Sequence, residues 1–166
     1  YNNTKSSIRL MLSFFQRIAY SSYRKNFPFD SPALGDFSDI LLQDVKHNHL
    51  ILQISAALGQ KYLAPFDNAN SSSQGILFGP YARPIICLPV ASLKFKVNLG
   101  IHFLLNTSAP NTYLEDAALR ALFDVTDPEV IDSMNVNIWG TKMIVSQAIE
   151  HFKGINLLGA DFLRNG

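Results

Sequence analysis

Apolar and polar residues alternate most plainly in "LKFKVNL" (93–99), where Leu93, Phe95, Val97 and Leu99 interleave with Lys94, Lys96 and Asn98. A period of two is that of a half-exposed strand. The runs "PIICLPVA" (84–91) and "IHFLLN" (101–106) are more continuously apolar and also read as strands. Residues 99–101 then read as the turn into the second of these, with Gly100 free to take positive φ. "LEDAALRALF" (114–123) carries the apolar spacing of a helix, and Glu115 and Asp116 suit its N-terminal dipole. Strands follow at "NVNIW" and "KMIVSQA", with Gly140 between them. "INLLGADFL" reads as a buried strand turning at Gly159 into a short helix.

The first half follows no single period. In residues 8–20, Ile8, Leu10, Leu12 and Phe14 alternate, yet Leu10, Phe14, Arg17 and Ile18 also fit helical spacing. "NFPFDSPALGD" (26–36) is a loop by its prolines and glycine, after which Asp36 or Ser38 can cap a helix through "DILLQDV". "LILQISAALGQKYL" (50–63) reads as a second helix, and "APFDNANSSSQG" (64–75) as a polar loop and a candidate boundary. The expected fold class is therefore α+β. Residues 1–79 form a small α+β region, a ubiquitin-like roll being one reading, and 80–166 form a second, mainly β domain.

The chain has 166 residues, 48% hydrophobic and 16% charged, which is enough apolar material for a core. A net charge of +1 gives no footprint for nucleic acid. Cys87 is the single cysteine, so an internal disulfide and a cysteine-rich metal site are both excluded. Its neighbours Ile85, Ile86 and Leu88 make it a buried strand thiol. No apolar run is long enough for a transmembrane helix. The stretch "TKSSIRLMLSFFQRIAYSSYRK" is basic, rich in serine and aromatics, and free of acids. This composition fits a mitochondrial transit peptide, a folded pair of elements with a basic face, or a segment making peripheral membrane contact.

Two short motifs carry the chemistry. In "FLLNTSAP" an apolar strand runs into Asn106-Thr107-Ser108-Ala109, and near the end of the chain comes Leu157-Leu158-Gly159-Ala160-Asp161-Phe162-Leu163. With the Gly140 hairpin before the second motif, residues 80–166 resemble the retropepsin-like (retroviral-type) aspartic proteases. In that family an Asp-Thr/Ser-Gly-Ala turn follows a strand, and a later apolar-apolar-Gly motif closes the fold beneath it. The resemblance implies a mainly β acid-protease fold and a dimer in which two aspartates share one proton, because like charges so close cannot both ionise. It places Asn106 at the position of the aspartate, Thr107 at the residue that ties the two turns together, and Ser108 at the glycine. It implies no cofactor and no metal.

The departures bear on function. The carboxamide of Asn106 keeps the size and hydrogen bonding of a carboxylate but cannot take a proton from water near neutral pH. Ser108 replaces the glycine. No glycine lies between Leu114 and Asn135, so the glycine-rich flap of the retroviral enzymes has no counterpart there; "DVTDPEVIDSM" is instead an acidic connection. The expectation is a flapless, catalytically degenerate retropepsin-like domain. It would serve as a structural or interaction subunit of a larger, intracellular assembly, with protein partners or a second copy of itself. The alternative is a homodimeric aspartic endopeptidase seen as an Asp-to-Asn variant; Ser108 and the missing flap point instead to natural loss.

Other candidates have plainer readings. His47 and His49 in "KHNHL" would share one face of a strand and could bind a metal, but no third ligand is near, so a polar loop is expected. His102 is expected to face outward from its strand, or else to make a polar contact at an interface, and His151 to lie in a loop. Asp161 is expected to be structural, at a helix start. Trp139 at a hairpin tip is a packed or rim residue, or else a partner's anchor. Sequons occur at Asn2, Asn70 and Asn106; with Asn106 expected to be buried in the turn and no secretory signal in view, no glycan is expected.

Overall fold

The computed structural model describes residues 44–66, 75–124, 133–149 and 152–165. The expectations for residues 8–20 and 26–36, for most of "DILLQDV" and of the 64–75 loop, for the body of the acidic connection, and for Asn2, Asn70 and His151 lie outside them.

The first element, α1, is one continuous helix in three stretches: α-helical His47–His49, π-helical Leu50–Ile54 and α-helical Ser55–Leu58. It ends at Gly59, whose φ of 62° is the left-handed stop that glycine adopts without strain. The helix starts and stops earlier than the run 50–63 suggests. Its inner side buries Leu50, Ile54 and Leu58, while Ile51 and Leu52 are exposed.

Strands follow at β1 Gly75–Phe78, β2 Arg83–Ser92, β3 Asn98–Leu105 and β4 Tyr113–Leu114. Next come α2 Asp116–Phe123, β5 Met134–Ile138, β6 Thr141–Gln147, β7 Asn156–Leu158 and α3 Ala160–Asn165. The sheet has seven strands in the order β1-β2-β3-β7-β4-β6-β5, and β5 pairs back onto β2. That return closes strands β2 to β7 on themselves, leaving β1 as a flap of sheet on β2. Two pairings are parallel, β3 with β7 and β4 with β6. The buried core includes Ile85, Leu88, Ile101, Phe103, Leu114 and Leu157, with Leu119 and Leu122 of α2 and Phe162 of α3 in the same cluster. Full burial of one such side chain contributes about 1.5–3 kcal/mol.

Three strand-level expectations are corrected. Residues 93–97 are not strand: the Ser92 hydroxyl accepts the N–H groups of Lys94 (3.3 Å) and Phe95 (3.1 Å), turning the chain so that Leu93 and Phe95 stay exposed. Their alternation reports a polar loop with apolar tips. Gly100 is not in a turn but inside β3, opposite Pro89. It is small because residues 60–66 lie across it. A Cβ there would meet Gln60 Nε2 and Phe66 Cδ2 at 3.1 Å and Cys87 Sγ at 3.3 Å. Its N–H donates to Ala64 O and its carbonyl accepts the Leu63 N–H, both at 2.9 Å. The third correction concerns His102, which is fully buried rather than outward-facing. Residues 44–66 cover the outer face of β3, so that strand is buried on both sides and its inside-outside alternation disappears.

The expected Gly140 hairpin is present. Trp139 (φ 46°) and Gly140 (φ 88°) form a two-residue turn with both φ positive, the geometry that matches strand twist. The Trp139 N–H is held by Pro89 O at 2.9 Å, and its side chain is half-buried against the core. Cys87 is buried as expected, and burial pushes its thiol up to about 12.

Candidate functional site

Asn106 follows the last residue of β3 and begins a tight turn in which its carbonyl accepts the Ala109 N–H at 3.1 Å. Its own N–H donates to Leu158 O at 3.1 Å, continuing the parallel β3–β7 ladder in which Leu105 pairs with Leu158. The turn therefore hangs from the strand that the second motif supplies. The Asn106 side chain folds back over the turn, its Oδ1 accepting the Ser108 N–H at 3.1 Å. Asn106 is half-buried, Thr107 and Ser108 are exposed, and Ala109 is buried.

The far side of the turn is locked by the second motif. Ala160 N–H donates to Ala109 O (2.8 Å) and Asp161 N–H to Pro110 O (3.2 Å). The Thr112 hydroxyl donates to Asp161 Oδ1 (2.7 Å) and accepts the Gly159 N–H (3.0 Å), while the Thr112 N–H donates to Asp161 Oδ2 (2.9 Å). Asp161 Oδ1 also accepts the Phe162 N–H at 2.8 Å, so the carboxylate sits at the start of α3 as its charge prefers. Asp161 is thus a structural residue, as expected. Gly159 is glycine for lack of space, since a Cβ would lie 2.2 Å from Asn111 O.

A second polar cluster lies on the other side of β4 and was not legible beforehand. Glu115, read as a helix-dipole residue, is 3% exposed and turns its carboxylate away from α2. It meets His47 Nδ1 at 2.8 Å and accepts the Tyr62 hydroxyl. Asn156 completes the cluster: its Nδ2 donates to Tyr62 Oη (2.8 Å) and His102 O (3.1 Å), and its Oδ1 accepts the Glu115 N–H (2.9 Å). Burial and the neighbouring carboxylate hold the Tyr62 phenol well above its usual range. His102 stacks on Tyr62 with ring centroids 5.2 Å apart and donates from Nδ1 to Leu50 O at 3.2 Å. Burial pushes its pKa down to about 4, so it is neutral at physiological pH.

His47 and His49 are corrected accordingly. They open a helix, where a spacing of two puts them on different faces: His47 turns to Glu115, and His49 lies against Phe78 at 5.5 Å. Among the described residues no group of three histidine, cysteine or acidic side chains is placed to hold a metal. No helix among them is long and apolar enough to cross a membrane.

No family model and no curated protein matches the sequence. Solved structures similar to it include a retropepsin-like aspartic protease from Rickettsia conorii, 18% identical, covering 57% of this chain and 82% of that one with a TM-score of 0.37. Another is the retroviral protease-like domain of Ddi1 from Leishmania major, 17% identical, covering 47% of this chain and 70% of that one with a TM-score of 0.31. From β2 to α3 the sheet closes with the Asn106 turn hung from Leu158 and clamped by Asp161.

Proposed function

We propose that this chain is a non-catalytic retropepsin-like domain, working as a structural or interaction subunit. The observation that carries the reading is Asn106. It stands where the turn would present its carboxylate, and its carboxamide oxygen is occupied by the Ser108 N–H. A carboxamide neither accepts a proton from water near neutral pH nor shares one across a dimer. What remains is a rigid turn whose exposed tip, Thr107 and Ser108, faces solvent and offers a contact for a second copy or another protein. The absence of any glycine between Leu114 and Asn135 also fits a domain that grips no substrate under a flap.

The second reading is an aspartic endopeptidase acting as a homodimer, seen with its acid replaced. The full set of Thr112–Asp161–Gly159 bonds beneath the turn favours it, because the support has not decayed with the acid. One experiment separates the two. Asn106→Asp is made in the full chain and assayed for peptide cleavage with and without pepstatin. Pepstatin-sensitive cleavage in that variant alone supports the endopeptidase; a folded but silent variant supports the non-catalytic subunit.

A further inference from the structure

The same turn contains an asparagine set up to change its own chemistry. Conversion of an asparagine needs three things. The following peptide nitrogen must be free to attack, the carboxamide must lie over it with its oxygen polarised, and the amide nitrogen must be free to leave. At Asn106 the Ser108 N–H donates to Oδ1 at 3.1 Å, which folds the carboxamide back over its own backbone and draws electrons from Cγ. Neither the Thr107 N–H nor Asn106 Nδ2 has a hydrogen-bond partner among the described residues, and Thr107 is exposed to water. Asn106 is otherwise fixed in the turn, its N–H on Leu158 O and its carbonyl on Ala109 N–H, so the Oδ1–Ser108 contact is a built part of the turn.

The chain carries its own control five residues on. Asn111 is also exposed and is also followed by a threonine. There, however, the Thr112 N–H is bound to Asp161 Oδ2 at 2.9 Å, so the nitrogen that would attack is occupied. The Asn-Thr pair is the same at the two sites, flanked by Leu105 and Ser108 in one and by Pro110 and Tyr113 in the other, and the fold leaves the attacking nitrogen free only at Asn106.

We propose that Asn106 is a site of spontaneous deamidation in the folded protein. The Thr107 nitrogen loses its proton to solvent base and bonds to Asn106 Cγ. The Cγ–Nδ2 bond breaks and ammonia leaves, giving a five-membered cyclic imide. Water opens the imide at Cγ to give aspartate, or at the backbone carbonyl to give isoaspartate. The balance is one water consumed and one ammonia released, with no oxidant or reductant. The aspartate product has a carboxylate at the head of the turn; the isoaspartate product lengthens the backbone and disrupts the Ala109 and Leu158 bonds. The inference rests on the turn's geometry and stands whichever reading of function holds.

The test is peptide mapping by mass spectrometry of the full chain, incubated at mildly alkaline pH, folded and in denaturant. In the folded chain Asn106 should convert severalfold faster than Asn111, and in denaturant the two rates should converge. Equal rates in the folded chain, or a difference that persists in denaturant, overturns the proposal. Thr107→Pro removes the attacking N–H at a turn position that favours proline and gives up no hydrogen bond. It should abolish conversion at Asn106 and leave Asn111 unchanged; continued conversion at Asn106 overturns the imide route.

Discussion

Thr112 holds Asp161 from two directions, its hydroxyl on Oδ1 at 2.7 Å and its backbone N–H on Oδ2 at 2.9 Å, across 49 residues of chain. Thr112 is fully buried, so its hydroxyl has no water to fall back on. Thr112→Val keeps the shape, leaves the Gly159 N–H without an acceptor, and takes one donor from the carboxylate. The expected loss is about 1–3 kcal/mol of unfolding free energy, read from the denaturant midpoint. A midpoint equal to the parent's removes the clamp from the account of the turn.

Gly159→Ala should cost more. The added carbon would sit 2.2 Å from Asn111 O and 2.4 Å from Asn111 C, both backbone atoms in a segment already fixed by hydrogen bonds. Overpacking costs about 1–3 kcal/mol where side chains can give way, and here none can. The expectation is a loss at or above the top of that range, seen in thermal or chemical unfolding. An alanine variant as stable as the parent would show that the Asn111 backbone moves freely.

His102 makes stability fall in acid. Its pKa is pushed down from 6.5 to about 4 by burial, so between those values the unfolded chain binds the proton and the folded one does not. The contribution is therefore complete above about pH 6.5, declines as pH falls, and is exhausted near pH 4. Its full size is on the order of 3 kcal/mol. His102→Leu should flatten the unfolding free energy over that window, leaving the carboxylates to set what slope remains. Leu50 O keeps the Ser55 hydroxyl as a donor at 2.8 Å. Parallel stability-pH curves for parent and variant would rule out His102 as the source.

The Tyr62–Glu115 contact ties residues 44–66 to the β4–α2 junction. Tyr62→Phe removes a donor from a buried carboxylate and an acceptor from Asn156 Nδ2, and Glu115→Gln removes the charge. In a double-mutant cycle the two changes should couple by about 0.5–3 kcal/mol, as groups in one buried network do. Additive losses would mean that His47 and Asn156 alone satisfy Glu115.

Sequence was most legible where one local rule governed. The apolar strand into Asn106, the Gly140 hairpin, the helix at Asp116–Phe123 and the Gly159 strand end were each readable from neighbouring residues, and the two motifs gave the turn its partner. Legibility failed where distant segments meet. His102 alternates with its neighbours as an outward residue should, and only the arrival of residues 44–66 buries it. Gly100 looks like a turn glycine because local rules do not register Phe66 and Gln60 lying across it. Glu115, Tyr62 and Asn156 are far apart in the chain and carry no shared pattern, so no period or spacing announces their cluster.

The parallel ladder between β3 and β7 also sets an order of events. Leu105 is made long before Leu158, and the Asn106 N–H has no acceptor until β7 is in place. Thr112 likewise waits for Asp161. A growing chain emerging from the ribosome would thus carry its most chemically distinctive turn open, exposed and unsupported until nearly the whole described region has been synthesised. Such long-range pairing is slow to form. The turn is written before four of the seven strands and is among the last features to take shape.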